Sequence, residues 1–481
     1  MKRNHRDPGG DAPRDGRAAA GAHPKPFPPT RLVGLIGKSP DQWTVDDLIH
    51  LFKEQGLRLV SLMHVGGDGW LKTLDFVPRS DGHLRDILEG GERADGSSLF
   101  RGTGIGVGRS DIVLRPRLES AFLDPFASLP TLIVLCGHFG RDGKPLPESP
   151  DTIVRAAHRR LKEKTGVDLM ALGEVEYFLG KKPEENDVYG ADDRGYHASS
   201  PFVFGEGHRR HALEALAEIG LPIKYGHSEV GYIGARDTDD VIWEQHEIEL
   251  ALMALPQAAE AVALAQWVLR NLAHRGGMRC SFEPIMRKGH AGSGLHFHFS
   301  PVVNGEHAAH RPEGREFQEP AKWLIGGLVQ LGAALMAFGN RSSGSFARLS
   351  QGKEAPHAVM WGEADRRALI RIPISAVTAE GRLVSPPTIE FRLPDGSAHP
   401  YLLLAGVAQA VIRGAETKEI DRLLTATAST GGDDDRRTMQ PVPRSFEDVS
   451  FALGEFRSVF EDGGVFPPAL IDRDMERLEE L

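Results

Sequence analysis

The chain has 481 residues, 40% of them hydrophobic and 26% charged, the balance of an ordinary globular protein with room for more than one domain. A formal net charge of -10 gives no overall attraction to nucleic-acid phosphates or anionic lipid, so neither nucleic acid nor membrane is expected as a partner. The two cysteines, Cys136 and Cys280, supply neither a disulfide framework nor a CxxC metal site, which fits a reducing cytoplasm.

Residues 1–40 are expected to be a disordered leader, since the opening stretch is rich in Arg, Pro, Gly, Ala and Asp and holds no apolar block of the kind a secretory signal needs. From Thr44 an amphipathic helix pattern (Leu48, Leu51, Phe52) leads into a strand-like run, Leu57 to Val65. A Gly-Gly-Asp-Gly turn and a second strand ending near Phe76 follow. Further strands are predicted at Asp111–Leu114 and Leu129–Cys136. The glycine run Gly102–Gly108 does not read as a nucleotide loop, because a strand and Pro116 follow it where a dinucleotide fingerprint must open a helix. The loop Gly140–Pro150 then marks a boundary, giving a first domain over 41–150.

Beyond it the pattern predicts helices at 151–165, 208–219, 246–273, 319–338 and 401–414, with short strands near 170–179, 292–300, 368–373 and 388–393. Such scattered strands imply non-local pairing and one large α+β domain over 151–481. The most apolar stretch, Trp323 to Phe338, is shorter than a membrane span and carries Gln330, so it reads as a buried helix. The polar segment Thr425–Arg437, with its Asp433–Asp435 run, reads as a solvated loop.

The chemistry concentrates in three strands. Residues two apart in a strand share a face, so Glu174 and Glu176 project together while Val175, Tyr177 and Leu179 pack the other way. The same arithmetic aligns His296, His298 and Ser300 opposite Leu295, Phe297 and Phe299, and Glu390 with Arg392 opposite Ile389 and Phe391. One such strand alone reads better as an amphipathic strand with a wet face. Three in one domain, bearing Glu and His, point to metal ligation. If the carboxylates converge, each like-charged pair at ~4 Å costs about 4 kcal/mol at an effective dielectric near 20, which bound divalent cations offset. Oxygen-rich ligands favour Mg²⁺ or Mn²⁺. Arg341, Arg348, Arg366, Arg367 and Arg371 form either an anion site or a surface belt.

The order of these motifs resembles the glutamine synthetase family, from about residue 44 to the C-terminus. The resemblance rests on Asp95-Gly96-Ser97-Ser98 followed by Ser110-Asp111; Glu174-Val175-Glu176-Tyr177-Phe178; and His227-Ser228-Glu229-Val230 with Gln245-His246-Glu247. It continues through Gly292-Ser293-Gly294-Leu295-His296-Phe297-His298; Arg348-Leu349 with Glu354-Ala355-Pro356; and Ile389-Glu390-Phe391-Arg392 with Pro394-Asp395 and Pro400-Tyr401.

The resemblance implies an N-terminal β-grasp domain plus a large C-terminal catalytic domain, in ring-stacked homo-oligomers, usually dodecamers, whose active sites are shared between subunits. It implies ATP and two or more Mg²⁺ or Mn²⁺ ions per site, one held by Glu176, Glu229 and Glu247 and another by Glu174, His296 and Glu390. Phosphate would pass from ATP, clamped by Arg366 and Arg371 beside His298 and Ser300, to a substrate carboxylate, and ammonia would then displace it. Asp95, Ser98, Tyr196 and Glu229 would form the amine pocket, Glu354 the shielding flap, and Arg348 and Arg392 the amino-acid site.

Several positions depart from the family pattern. Ala291 stands where the family usually has Asn, Ile285-Met286 replaces a Lys-Pro pair, and Thr388 replaces an arginine near the nucleotide. Gly231–Trp243 lengthens the spacing between Glu229 and Glu247. The loop Thr425–Pro443 lacks the tyrosine that some bacterial members use for adenylylation. The substrates expected are glutamate or a similar acid, and ammonia or a small amine. A ligase for polyamines or alkylamines, or a non-catalytic member of the family, are the competing readings.

Overall fold

The computed structural model describes residues 30–185, 187, 193–235, 240–309, 316–351, 355–431 and 439–481. Most of the expected leader, the flap residue Glu354, the tip of the lengthened segment and most of the Asp433–Asp435 loop lie outside the described residues.

Six strands make the first sheet: β1 (Leu59–Val65), β2 (Leu71–Phe76), β3 (Glu92–Asp95), β4 (Asp111–Pro116), β5 (Phe122–Leu123) and β6 (Thr131–Phe139). Their order is β2-β1-β6-β4-β3, with β5 on β6, and the central pair β1 and β6 run parallel. Both central strands are apolar on both faces, as a doubly covered parallel pair must be. Val60, Leu62, Leu132 and Val134 face a core shared with the helices Val45–Glu54 and Asp81–Gly90. Met63, Val65, Ile133 and Leu135 face the main core of the chain. The helix at Val45 starts where the sequence predicts, because Thr44 and Asp47 cap its first turn reciprocally. The glycine run passes through one short 3-10 turn, Val107–Arg109, into strand β4 rather than into an α-helix.

The second sheet contains β7 (Asp168–Lys181), β8 (Ile223–Ile233), β9 (Ile242–Leu250), β10 (Met253–Ala254), β11 (Arg279–Ser281), β12 (Leu295–Val303), β13 (Glu306–His307), β14 (Ala358–Glu363), β15 (Ala368–Ile372) and β16 (Ile389–Phe391). The path β14-β15-β16-β12-β7-β9-β8 is almost wholly antiparallel, with short strands β10, β11 and β13 beside it. One face carries the helices Pro150–Thr165, Leu255–Arg275, Glu319–Gly339 and Pro400–Ala415 around a single large apolar core. The Glu319–Gly339 helix is long and apolar enough to cross a membrane, but most of its apolar window is buried in that core.

Two expectations are corrected. The end of the expected disordered leader is ordered: Arg31–Ile36 is a helix capped by Thr30, with Leu32 buried in the core of the first sheet. The helix expected over 246–273 begins only at Leu255, and residues 242–250 are strand β9. The period is two there: Gln245, Glu247 and Glu249 share one face while Ile248 and Leu250 enter the core, and Pro256 suits the first turn of the helix that follows. The lengthened segment extends the β8–β9 hairpin, pairing Ile233 with Trp243, and a small core of Phe178, Ile233, Val241 and Trp243 supports it.

Candidate active site

Residues directly opposite in a sheet ladder share a face, so the register of the second sheet fixes which side chains meet. On β12, His296 lies opposite Glu174 of β7, which lies opposite Glu249 of β9, opposite Tyr225 of β8. One step along, Glu176 faces Glu247, which faces His227. On the other side, Arg371 of β15 faces Glu390 of β16, which faces His298. These rows line a cavity of about 1160 Å³ on the face away from the helices.

The sequence-predicted residues Glu174, Glu176, Tyr196, Glu229, Glu247, His296, His298, Arg348, Arg366, Arg371, Glu390 and Arg392 all line this cavity, as does Ala291. Ser300 lies just behind the wall, fully buried, its hydroxyl 2.7 Å from His307 Nδ1. Asp95 and Ser98 do not belong to the wall. They sit exposed at the end of β3 and in the turn after it, with Ser98 Oγ 2.6 Å from Asp95 Oδ2.

Hydrogen bonding fixes several of these groups. Arg348 Nη2 donates to His296 Nε2 at 3.2 Å, so His296 carries its proton on Nδ1 and donates to Glu174 Oε2 at 2.9 Å. His298 Nε2 meets the other oxygen of Glu174 at 2.8 Å, while Thr388 Oγ1 lies 2.9 Å from His298 Nδ1. Burial pushes the Glu174 carboxyl up, but the imidazoles of His298 and His296 outweigh it and hold Glu174 well below the usual carboxylate range. Glu390 is fully buried between Arg392 and Arg371, the latter at 2.7 Å. Burial again raises its pKa, and Arg392 together with His298 and His296 outweighs that and lowers it. Glu247 goes the other way: burial and its neighbours Glu174, Glu176, Glu229 and Glu249 all push it well above the usual range.

The site also contains residues to which the sequence reading gave no role. Glu249 is buried, with Lys224 Nζ at 2.5 Å. Gln245 anchors Glu176, and His227 Nε2 lies 3.2 Å from Glu247 Oε1. Among the described residues, three sets of ligand atoms fall within 4.8 Å of one another: Glu174, His298 and Glu390, with His298 where the resemblance implies His296; His227, Glu229 and Glu247; and Glu174, Glu247 and Glu249. Crowded buried carboxylates with adjoining imidazoles are the donor set that divalent cations suit.

Comparison with known proteins fixes the relationship. The family model described as "Glutamine synthetase, catalytic domain" matches residues 147–473. The chain belongs to the glutamine synthetase family. It is 30% identical over 390 residues to the glutamine synthetase of Thermus thermophilus, covering 78% of this chain and 81% of the relative. To that of Azotobacter vinelandii it is 28% identical over 473 residues, 90% of this chain and 95% of the relative. The fold matches the cryo-electron-microscopy structure of Plasmodium falciparum glutamine synthetase with a TM-score of 0.74 at 18% identity, over 91% of this chain and 95% of that one. Membership in this family implies a ligase, built here on carboxylates brought together from separate strands.

Proposed function

We propose that this chain is an ATP-dependent ligase that joins glutamate to ammonia through an acyl phosphate. The observation that carries the reading is the meeting of Glu174, Glu176, Glu229, Glu247 and Glu390 with Arg366 and Arg371 around one cavity. Scaffolding alone has no use for so costly a cluster.

In this reading Glu176, Glu229 and Glu247 hold one Mg²⁺ or Mn²⁺, and Glu174, His296 and Glu390 hold another, the proton that His296 Nδ1 shares with Glu174 in the metal-free chain being displaced as that cation binds. When bound, the cations neutralise phosphate oxygens and align the transferring group. Arg366 and Arg371 clamp the γ-phosphate of ATP, with His298 and Ser300 near the nucleotide. Arg348 and Arg392 hold the amino acid. Asp95, with Ser98, Tyr196 and Glu229, binds ammonium and takes its proton, which frees the lone pair for attack on the acyl carbon; phosphate departs with the bond it held. Glu354 shields the acyl phosphate from water.

Because Asp95 and Ser98 lie outside the cavity wall, the amine pocket needs them from a second copy of the chain, in a closed homo-oligomer such as a dodecamer. The parallel β1–β6 pair flanked by antiparallel strands supports reading residues 41–150 as a β-grasp domain. Ala291 gives the acid-binding wall a methyl group where an amide would hydrogen-bond, so a related acid or a small amine is the alternative substrate.

The test is phosphate release from ATP with a panel of acids, glutamate first, against a panel of amines, ammonia first, at saturating Mg²⁺ or Mn²⁺. Release that requires glutamate and ammonia together is expected. No turnover on any pair, with ATP still bound, would leave a non-catalytic family member.

A further inference from the structure

We infer that His227 is a nitrogen ligand of the cation held by Glu229 and Glu247, so that this position takes Mn²⁺ in preference to Mg²⁺. The inference deepens the ligase reading and rests on its assignment of a cation to this corner of the cavity.

His227 Nδ1 lies 3.1 Å from the carbonyl oxygen of Ser228. A carbonyl only accepts, so Nδ1 carries the proton and Nε2 presents a lone pair. That lone pair faces Glu247 Oε1 at 3.2 Å. A positive centre holds these two atoms this close: a proton in the metal-free chain, and a cation in its place where one binds. Two ligands in neighbouring positions of an octahedral ion, each bonded at ~2.1 Å, lie ~3 Å apart, the separation found here.

A second observation concerns the third carboxylate assigned to this ion. Glu176 Oε2 accepts from Gln245 Nε2 and from Gly294 N, both at 2.8 Å, so that oxygen is already engaged. His227 joins Glu229 and Glu247 within ligand reach, and Glu176 keeps its other oxygen for the same ion. The ring is also held in place. Tyr225 stacks 5.9 Å to one side, His197 lies 4.6 Å away, and Tyr196 meets it edge-on at 5.5 Å. A ligating histidine whose other nitrogen donates to a backbone carbonyl is the usual arrangement at metal centres. An imidazole among carboxylates moves preference from Mg²⁺ toward first-row transition ions.

The experiment reads Mn²⁺ on the full-length protein without nucleotide, by pulsed electron paramagnetic resonance and by titration calorimetry. His296 and His298 border the other cation position, so the nitrogen signal is measured in the H296Q/H298Q background. Nitrogen coupling to Mn²⁺ is expected there, and H227Q added to that background should abolish it. In the otherwise native chain, H227Q should weaken Mn²⁺ binding at least about tenfold while Mg²⁺ binding changes far less. Absence of nitrogen coupling in the H296Q/H298Q protein, which needs no His227 variant to fold, would overturn the inference. So would an equal loss of both ions in H227Q. Neither readout uses turnover, so a chain that fails to make glutamine but shows the coupling keeps the ligand assignment and loses only the ligase reading.

Discussion

Gln245 Nε2 donates to Glu176 Oε2 at 2.8 Å from the neighbouring strand. The same amide nitrogen reaches the carbonyl of Gly292 at 3.0 Å and Ser293 Oγ at 3.3 Å, while Gln245 Oε1 accepts from Gly231 N. One buried amide thus ties β9, the turn before β12 and the end of β8 to a candidate ligand. Replacing it by leucine keeps the volume and removes every tie. Q245L should lower phosphate release about 10- to 100-fold and raise the half-saturating metal concentration. An unchanged metal requirement would show that Glu176 does not depend on this support.

Glu390 has no exposed surface and balances two guanidinium groups, Arg371 and Arg392. Removing it leaves buried positive charge without a partner. E390A should therefore abolish phosphate release and also cost about 3–5 kcal/mol of stability in thermal or denaturant unfolding. E390Q retains hydrogen bonding, so it should recover part of that stability and none of the activity. Full turnover in E390Q would remove Glu390 from the cation site.

Glu247 gives the metal-free protein a pH dependence whose sign follows from its raised pKa. As pH climbs, the unfolded chain ionises this residue first, near about 4.3, while the folded carboxyl holds its proton longer. Its contribution to stability is complete below that value and is lost as pH rises through the folded pKa. Glu174 and Glu390, with lowered values, act oppositely, so the quantity to measure is the difference between the native chain and E247Q. The metal-free native protein should lose melting temperature relative to E247Q on going from pH 5 toward neutrality, and saturating Mn²⁺ should cancel the loss. Parallel pH profiles would show that the carboxylate crowding does not reach Glu247.

The predicted strands at 170–179, 292–300 and 388–393 were legible because each alternates a polar with an apolar face and lies on a sheet whose other side is the core. Glu249 was hidden by the reading of 246–273 as one long helix. In Ile242–Leu250 every residue is buried, so apolar and polar positions alike face inward and periodicity alone does not separate strand from helix. The parity of Gln245, Glu247 and Glu249 was the available signal. His227 and Lys224 depend on ladder register between β8 and β9, which local sequence does not encode. The exposure of Asp95 likewise follows from how the first sheet sits on the second.

Two glycines let two of the core helices touch. A Cβ on Gly327 would lie 1.9 Å from the carbonyl oxygen of Ala410, and one on Gly414 would lie 1.9 Å from that of Trp323. The contact is reciprocal between the helices Glu319–Gly339 and Pro400–Ala415, and both obstacles are backbone. G327A or G414A must push the helices apart beneath β12 and β16. Each should destabilise by about 1–3 kcal/mol or more, read as a lowered unfolding midpoint, despite the better helix propensity of alanine. A neutral result would mean that the helices pack more loosely than this approach implies.

Asp95 shows whether the site is shared. Its carboxylate accepts from Ser97 N and from the Ser97 and Ser98 hydroxyls, which hold it well below the usual carboxylate range and therefore ionised at the surface. Asp95 is not among the residues that line its own chain's cavity, so in the proposed reading it serves the cavity of a second copy. D95N and E176Q should each be inactive alone with the assembly intact. Co-assembled at equal ratio, a site that takes Asp95 from one chain and Glu176 from another is intact in ~¼ of cases, so roughly that fraction of activity should return. Verified mixed oligomers with no recovered activity would mean that Asp95 does not act across the subunit boundary, and the amine pocket would then have to be built from residues of a single chain.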